Sequence, residues 1–176
     1  AIHGDEPEGP LACQIALAEG DPAQLDGTLV LCPVMNVPAF EAAERGNPLD
    51  TFSYDMNRIY PGRANGYLSE RIAAAHAAAM GPVADIEISI HSGGAHSYLA
   101  KAIFVDETPA SVELATAMGP GWGCIMSNFL PKGSPMAYLK ELGKTGITVE
   151  LGGRSATGPG ALAQVGRELA NSILNI

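Results

Sequence analysis

Cysteine is scarce in this sequence. Cys13, Cys32 and Cys124 are an odd, widely scattered set with no paired ligand spacing. That argues against a disulfide framework and a thiolate metal site, and leaves three small apolar side chains expected to be buried in a reducing compartment. Basic residues are also few, 10 Lys and Arg against 19 Asp and Glu, for a formal net charge of -9. A surface of that sign repels phosphate backbones and anionic head groups, so neither nucleic acid nor membrane is an expected partner. No apolar run approaches the roughly 18 residues that cross a bilayer, and no charged start followed by an apolar stretch marks a signal peptide. The expectation is a soluble, cytoplasmic protein. Nor is there a Gly-x-Ser-x-Gly context around Ser92 or Ser97, which removes the usual serine nucleophile.

What remains is a chain of 176 residues, 47% hydrophobic, with 21 Gly and 13 Pro. It is long enough for one domain with a substantial core and tight turns. Pro10, the run to Glu19 and then Gly20 predict a helix with proline in its first turn and glycine at its end. Residues 27–34, Gly-Thr-Leu-Val-Leu-Cys-Pro-Val, are an apolar run after a turn signal and predict a strand buried on both faces. Residues 36–66 read as irregular. A connection of about 30 residues is long for a compact domain and is usually functional or disordered; its aromatics and two arginines favour function. Further helices are predicted over 69–80, 110–118, 135–142 and 160–173, and strands over 85–90, 102–105, 124–127 and 146–151. This alternation argues for an α/β fold, with a mostly parallel or mixed sheet flanked by helices on both faces.

Several residues could carry chemistry. His3-Gly4-Asp5-Glu6 sets an imidazole and a carboxylate three residues apart, just before the first predicted helix. Alone, such a pair is common by chance. His91 ends the strand predicted over 85–90 and precedes Gly93-Gly94. Ligand sites in open parallel sheets form outside the carboxyl ends of the strands, which would bring His91 towards His3 and Glu6. Two imidazoles and one carboxylate, with a fourth position open, are a catalytic zinc set.

Glu150 emerges from the apolar run Gly-Ile-Thr-Val and suits a general base, or equally a hydrogen-bonded structural carboxylate. Arg45, Asn57 and Arg58 lie in the long irregular stretch. In so acidic a chain the two arginines suit an anionic group, although Glu41, Glu44 or Asp55 could pair with them instead. His76 and His96 read as structural or surface histidines.

His3-Gly4-Asp5-Glu6, Asp55-Met56-Asn57-Arg58-Ile59-Tyr60-Pro61-Gly62, His91-Ser92-Gly93-Gly94 and Glu150-Leu151-Gly152-Gly153 occur in that order. Together they resemble the succinylglutamate desuccinylase and aspartoacylase family, a branch of the zinc carboxypeptidase-like enzymes. They look closest to the subgroup of N-acetyl-diaminobutyrate deacetylases. The resemblance implies one zinc ion per chain on His3, Glu6 and His91, with Glu150 as general base. It implies Arg45 as the group that polarises the carbonyl, and Asn57 and Arg58 as the holders of the substrate carboxylate. The implied partner is a small anionic N-acyl amino acid whose amide bond is hydrolysed; a homo-oligomer is compatible with the sequence.

One departure stands out. The family usually has Asp two residues before the second zinc histidine, where this chain has Ser89. The family also continues past both ends of this stretch, so residues 1–176 are expected to be the catalytic part of a longer chain. Two other readings share most of these residues: a zinc carboxypeptidase acting on peptides, and a zinc-binding module without catalysis. Retention of Glu150 beside all three ligands argues against the second.

Overall fold

The computed structural model describes residues 1–52, 54–126, 130–154 and 158–176, with residues 124–126 and 159 described by their backbone. Six α-helices and four β-strands are described: α1 Glu8–Glu19, α2 Val37–Ala42, α3 Leu68–Met80, β1 Ile86–His91, β2 Tyr98–Val105, α4 Pro109–Ala117, β3 Gly123–Met126, α5 Pro135–Glu141, β4 Thr145–Gly153 and α6 Pro159–Leu174. Proline stands in the first turn of α2, α4, α5 and α6, where its fixed φ suits the helix and its missing N–H costs nothing. Thr108 and Ser134 cap α4 and α5 by accepting from the N–H of Ser111 and Ala137.

The strands form one mixed sheet in the order β1-β4-β2-β3. β1 runs parallel to β4, β2 antiparallel to β4, and β3 parallel to β2. The α/β class, the mixed sheet and its covering by helices agree with the sequence expectation.

Strand periodicity divides the sheet into two unlike faces. One is apolar. Ile88 and Ile90 stand in register with Ile147 and Val149, and Val149 with Ile103. They pack with Val105 and Leu151 against Ala12 of α1, Leu114 and Ala115 of α4, and Val165 and Leu169 of α6. The opposite face of the same strands carries Glu87, Ser89 and His91 on β1, and Gly146, Thr148 and Glu150 on β4. α5 covers part of it, with Met136 and Leu139 against the bare Cα of Gly146. Tyr138 of α5 joins a second core with Ile2, Met56, Tyr60 and, from α3, Ala73 and Ala77. His76 of α3 lies 3.0 Å from the Tyr60 hydroxyl, a structural role in keeping with its sequence context.

Two expectations fail. Residues 27–34 are not a strand, and Leu29 and Val30 are exposed. Pro33 has no N–H to give to a ladder, and among the described residues the run's backbone partner is Ala1, too short a contact to make a strand. The Ala1 amine donates to the Pro33 carbonyl at 3.0 Å, and Met35 and Asn36 N–H donate to the Ala1 carbonyl. Cys32 is therefore exposed rather than buried, whereas Cys13 is buried as expected; the side chain of Cys124 lies outside the described residues. The stretch 36–66 is also less irregular than its composition suggests. It holds α2 and a short 3₁₀ turn, Met56–Arg58, with Asp55 accepting from the Asn57 N–H.

Of the polar groups on the site-bearing face, Glu87 is farthest from its carboxyl end. Burial pushes its carboxyl up to about 7 from an ordinary value of 4.5. The folded chain thus holds this proton more tightly than the unfolded one, so stability is lost as pH rises from about 4.5 to about 7. Glu87→Gln should melt close to the parent at pH 5 and about 5 °C above it at pH 8. Thermal unfolding at the two pH values checks this; a difference independent of pH would contradict it.

Candidate active site

Each element brings one part of the site. The turn before α1 supplies His3 and Glu6, and it is pinned from outside by α2. The Gly4 N–H donates to the Glu44 carbonyl at 2.9 Å, and a Cβ at Gly4 would collide with the Ala39 and Phe40 backbone. Only glycine permits that approach. β1 delivers His91 at its carboxyl end and β4 delivers Glu150, which stands in register with His91 on the adjacent parallel strand.

His3, Glu6 and His91 are all buried, at 2%, 4% and 4% exposure. Glu6 meets both rings: Oε1 lies 2.8 Å from His3 Nδ1, and Oε2 lies 3.0 Å from His91 Nδ1. The two Nδ1 atoms are 3.2 Å apart. This donor set fits a metal ion. Around a tetrahedral zinc at its usual ligand distances, neighbouring ligand atoms lie about 3.3 Å apart, close to the spacings found here. The three are also the cluster of His, Cys, Asp and Glu side chains, among the described residues, that is arranged to share an ion.

The outer nitrogens of both rings are also engaged. His3 Nε2 lies 3.0 Å from Asp55 Oδ1, and His91 Nε2 lies 3.1 Å from Ser89 Oγ and 3.5 Å from Asn57 Nδ2. Such contacts hold a ring in the orientation and tautomer that a metal requires. Ser89 thus occupies the place at which the family pattern has Asp, still within reach of the ring but as a neutral hydroxyl.

Charge is tightly managed. Burial opposes ionisation of Glu6, but the hydrogen bonds from His3 and His91 outweigh it and hold its carboxyl down at about 2. Burial likewise opposes charge on His3, and Asp55 and Glu6 override it, raising the imidazole above its ordinary value. For Glu150 the charges of His3 and Arg45 offset its burial only in part. Burial first, and then the negative charge of Glu6, push its carboxyl up to about 8, and its Oε2 is buried with no hydrogen-bond partner.

Arg45 is half-exposed and clamps Asp55, with Nε and Nη2 at 3.2 and 3.0 Å from Oδ2. That is one of the pairings its sequence left open. Its Nη1 still lies 3.4 Å from His3 Nδ1 and 4.0 Å from Glu6 Oε1, so the guanidinium is at the cluster. Asn57 stands beside His91. Arg58 is exposed and donates to the Asn57 carbonyl at 2.7 Å; it forms no ion pair among the described residues. His96 is exposed.

Residues 1–176 match the succinylglutamate desuccinylase/aspartoacylase catalytic domain. The chain belongs to that family. Among similar proteins is the N-alpha-acetyl-L-2,4-diaminobutyric acid deacetylase of Halomonas elongata, 28% identical over 98% of this chain and 52% of the relative. A succinylglutamate desuccinylase from a Silicibacter species superposes with a TM-score of 0.82 at 29% identity, over 98% of this chain and 54% of that one. The product-bound ectoine utilization protein EutE (DoeB) of Ruegeria pomeroyi gives 0.81 at 29% identity, with the same coverage. The chain therefore spans about half the length of the relatives it matches.

In the sequence of this family member Asp55 stands out only as a possible arginine partner. The signal was present in the motif, since Asp55 opens the run that carries Asn57 and Arg58. Its effect can be read without any metal. Asp55→Asn should lower the pKa of His3, because the anion that holds the imidazolium is gone. An NMR titration of the metal-free protein checks this, and an unmoved His3 would count against the contact.

Proposed function

We propose that this family member is a zinc-dependent hydrolase that cleaves the amide bond of a small N-acyl amino acid. The observation that carries the reading is the convergence of His3 Nδ1, Glu6 and His91 Nδ1 in one buried cluster beside the unpaired carboxyl of Glu150. The names of the relatives, a deacetylase and a desuccinylase, support the same reaction class. His3, Glu6 and His91 would hold the ion, which when bound supplies Lewis-acid chemistry, making water more acidic and a carbonyl more electrophilic.

The chain's own residues would do the rest. Glu150, projecting from the end of β4, takes the proton of the attacking water. That water adds to the acyl carbonyl carbon, the C–N bond breaks, and the same carboxyl returns the proton to the leaving nitrogen. The products are a carboxylate and a free amine. Arg45, whose Nη1 faces the cluster, donates to the oxygen that gains charge as water adds. Asn57 and Arg58 bind the substrate carboxylate, and the exposed guanidinium of Arg58 is free to close a planar fork on it. A soluble, cytoplasmic enzyme suits such a substrate, and no helix among the described residues is long and apolar enough to cross a membrane.

Two variants separate chemistry from recognition. Glu150→Gln keeps the shape of the side chain and removes the proton acceptor. Zinc content by atomic absorption should be unchanged while kcat falls roughly 100-fold or more; an active variant would place the base elsewhere. Arg58→Lys should raise KM for N-acyl amino acids about 10-fold or more with zinc retained, because a point charge cannot form the fork. A substrate whose carboxylate is converted to a neutral amide should be poor for the parent and lose little more in the variant. Equal damage to acid and amide substrates would make Arg58 a structural residue.

A further inference from the structure

Glu8 lies two residues beyond Glu6, in the first turn of α1, and is only 3% exposed. An acid suits the first turn of a helix, but the helix dipole does not ask for its burial, and a buried carboxylate is costly unless its oxygens are satisfied. Both are. Glu8 Oε2 accepts from the Ser92 hydroxyl at 2.7 Å, and Oε1 accepts from the Gly153 N–H at 2.8 Å.

The two donors stand at telling places. Ser92 follows His91 directly, and Gly153 lies three residues after Glu150, at the ends of adjacent parallel strands. The turn after β1 interlocks with the last residues of β4. The Gly93 N–H donates to the Gly152 carbonyl at 3.2 Å, and a Cβ at Gly153 would strike the Ser97 carbonyl and the Gly93 backbone. Gly152 and Gly153 have φ of +92° and +115°, which side chains rarely adopt, and a Cβ at Gly152 would lie 3.0 Å from Glu8 Oε1. The glycines after His91 and Glu150 thus let the turn after β1 and the end of β4 close upon one carboxylate.

We propose that Glu8 is a positioning residue, a buried clasp that ties the start of α1 to the ends of β1 and β4 and so sets the spacing of Glu6, His91 and Glu150. The inference rests on the zinc reading above and adds a residue to it. Glu6 shares its turn of chain with Glu8, His91 is next to Ser92, and Glu150 shares its strand with Gly153. A shift at Glu8 reaches all three. Gln at this position keeps the volume but offers a single acceptor oxygen, so one of the two donors loses its partner.

The test compares the intact parent protein with Glu8→Gln, Ser92→Ala and the double variant. Zinc affinity is read by competition with a chromophoric chelator, well below the melting temperature. Circular dichroism and melting of the metal-free proteins are read in parallel. Glu8→Gln should bind zinc roughly 10- to 100-fold more weakly than the parent, the usual effect of losing a group that holds metal ligands in place. Its helix content should be unchanged. Ser92→Ala should weaken binding less, and the double variant should add little to Glu8→Gln, because both act through one contact.

Parent-like zinc affinity in Glu8→Gln, with or without a lowered melting temperature, would overturn the proposal and leave Glu8 a structural residue. Should Glu8→Gln fail to fold, Ser92→Ala decides by the same comparison, parent-like affinity again counting against the clasp. A folded parent that binds no zinc would overturn the zinc reading and this inference together. That outcome is distinct from a parent that binds zinc and a Glu8→Gln that matches it.

Discussion

Two imidazoles share one carboxylate in this protein, and the rest of the site is arranged around that arrangement. Glu6 faces His3 with one oxygen and His91 with the other, although the rings come from positions 88 residues apart. A carboxylate buried this deeply needs hydrogen-bond donors or a cation close by. Burial opposes ionisation of Glu6, and the hydrogen bonds from His3 and His91 hold it acidic all the same. A divalent cation would serve the same need with better geometry, since neutral Nδ1 atoms and a carboxylate are its natural ligands.

The sheet explains how so distant residues meet. β1 and β4 are neighbours and run the same way, so their carboxyl ends open on one edge of the fold. Their apolar alternates turn toward α1, α4 and α6, which leaves Ser89, His91 and Glu150 on the other side. A shift of register by one residue would exchange the two faces and bury isoleucine where histidine now stands. Dense packing of the apolar face therefore protects the chemistry of the polar one.

Electrostatics grade the acids of the site by their surroundings. Asp55 is held ionised by His3 and Arg45, although burial opposes this, and in turn it supports charge on His3. Glu150, with one oxygen buried and unpaired, is pushed up to about 8. Acids set apart in this way can take different parts, one as ligand and another as proton carrier. In a chain of net charge -9, Arg45 is engaged with Asp55 and Arg58 is exposed.

By itself the sequence determined the fold class, most of the elements and the residue types of the cluster. Those are local matters: proline and glycine punctuate helices, alternation marks β1 and β4, and the His-Gly-Asp-Glu and His-Ser-Gly-Gly motifs, weak singly, gain weight from their order along the chain. It misjudged residues 27–34, where an apolar run looks like a strand but Pro33 offers no N–H and Ala1 is its backbone partner among the described residues. It passed over α2 because six residues carry too little periodicity to show. Only the tertiary structure decided which side of each imidazole faces Glu6, that Arg45 grips Asp55, and that Glu8 holds Ser92 and Gly153. Those are contacts between residues far apart in the chain, set by how strands and turns pack. No local pattern records them.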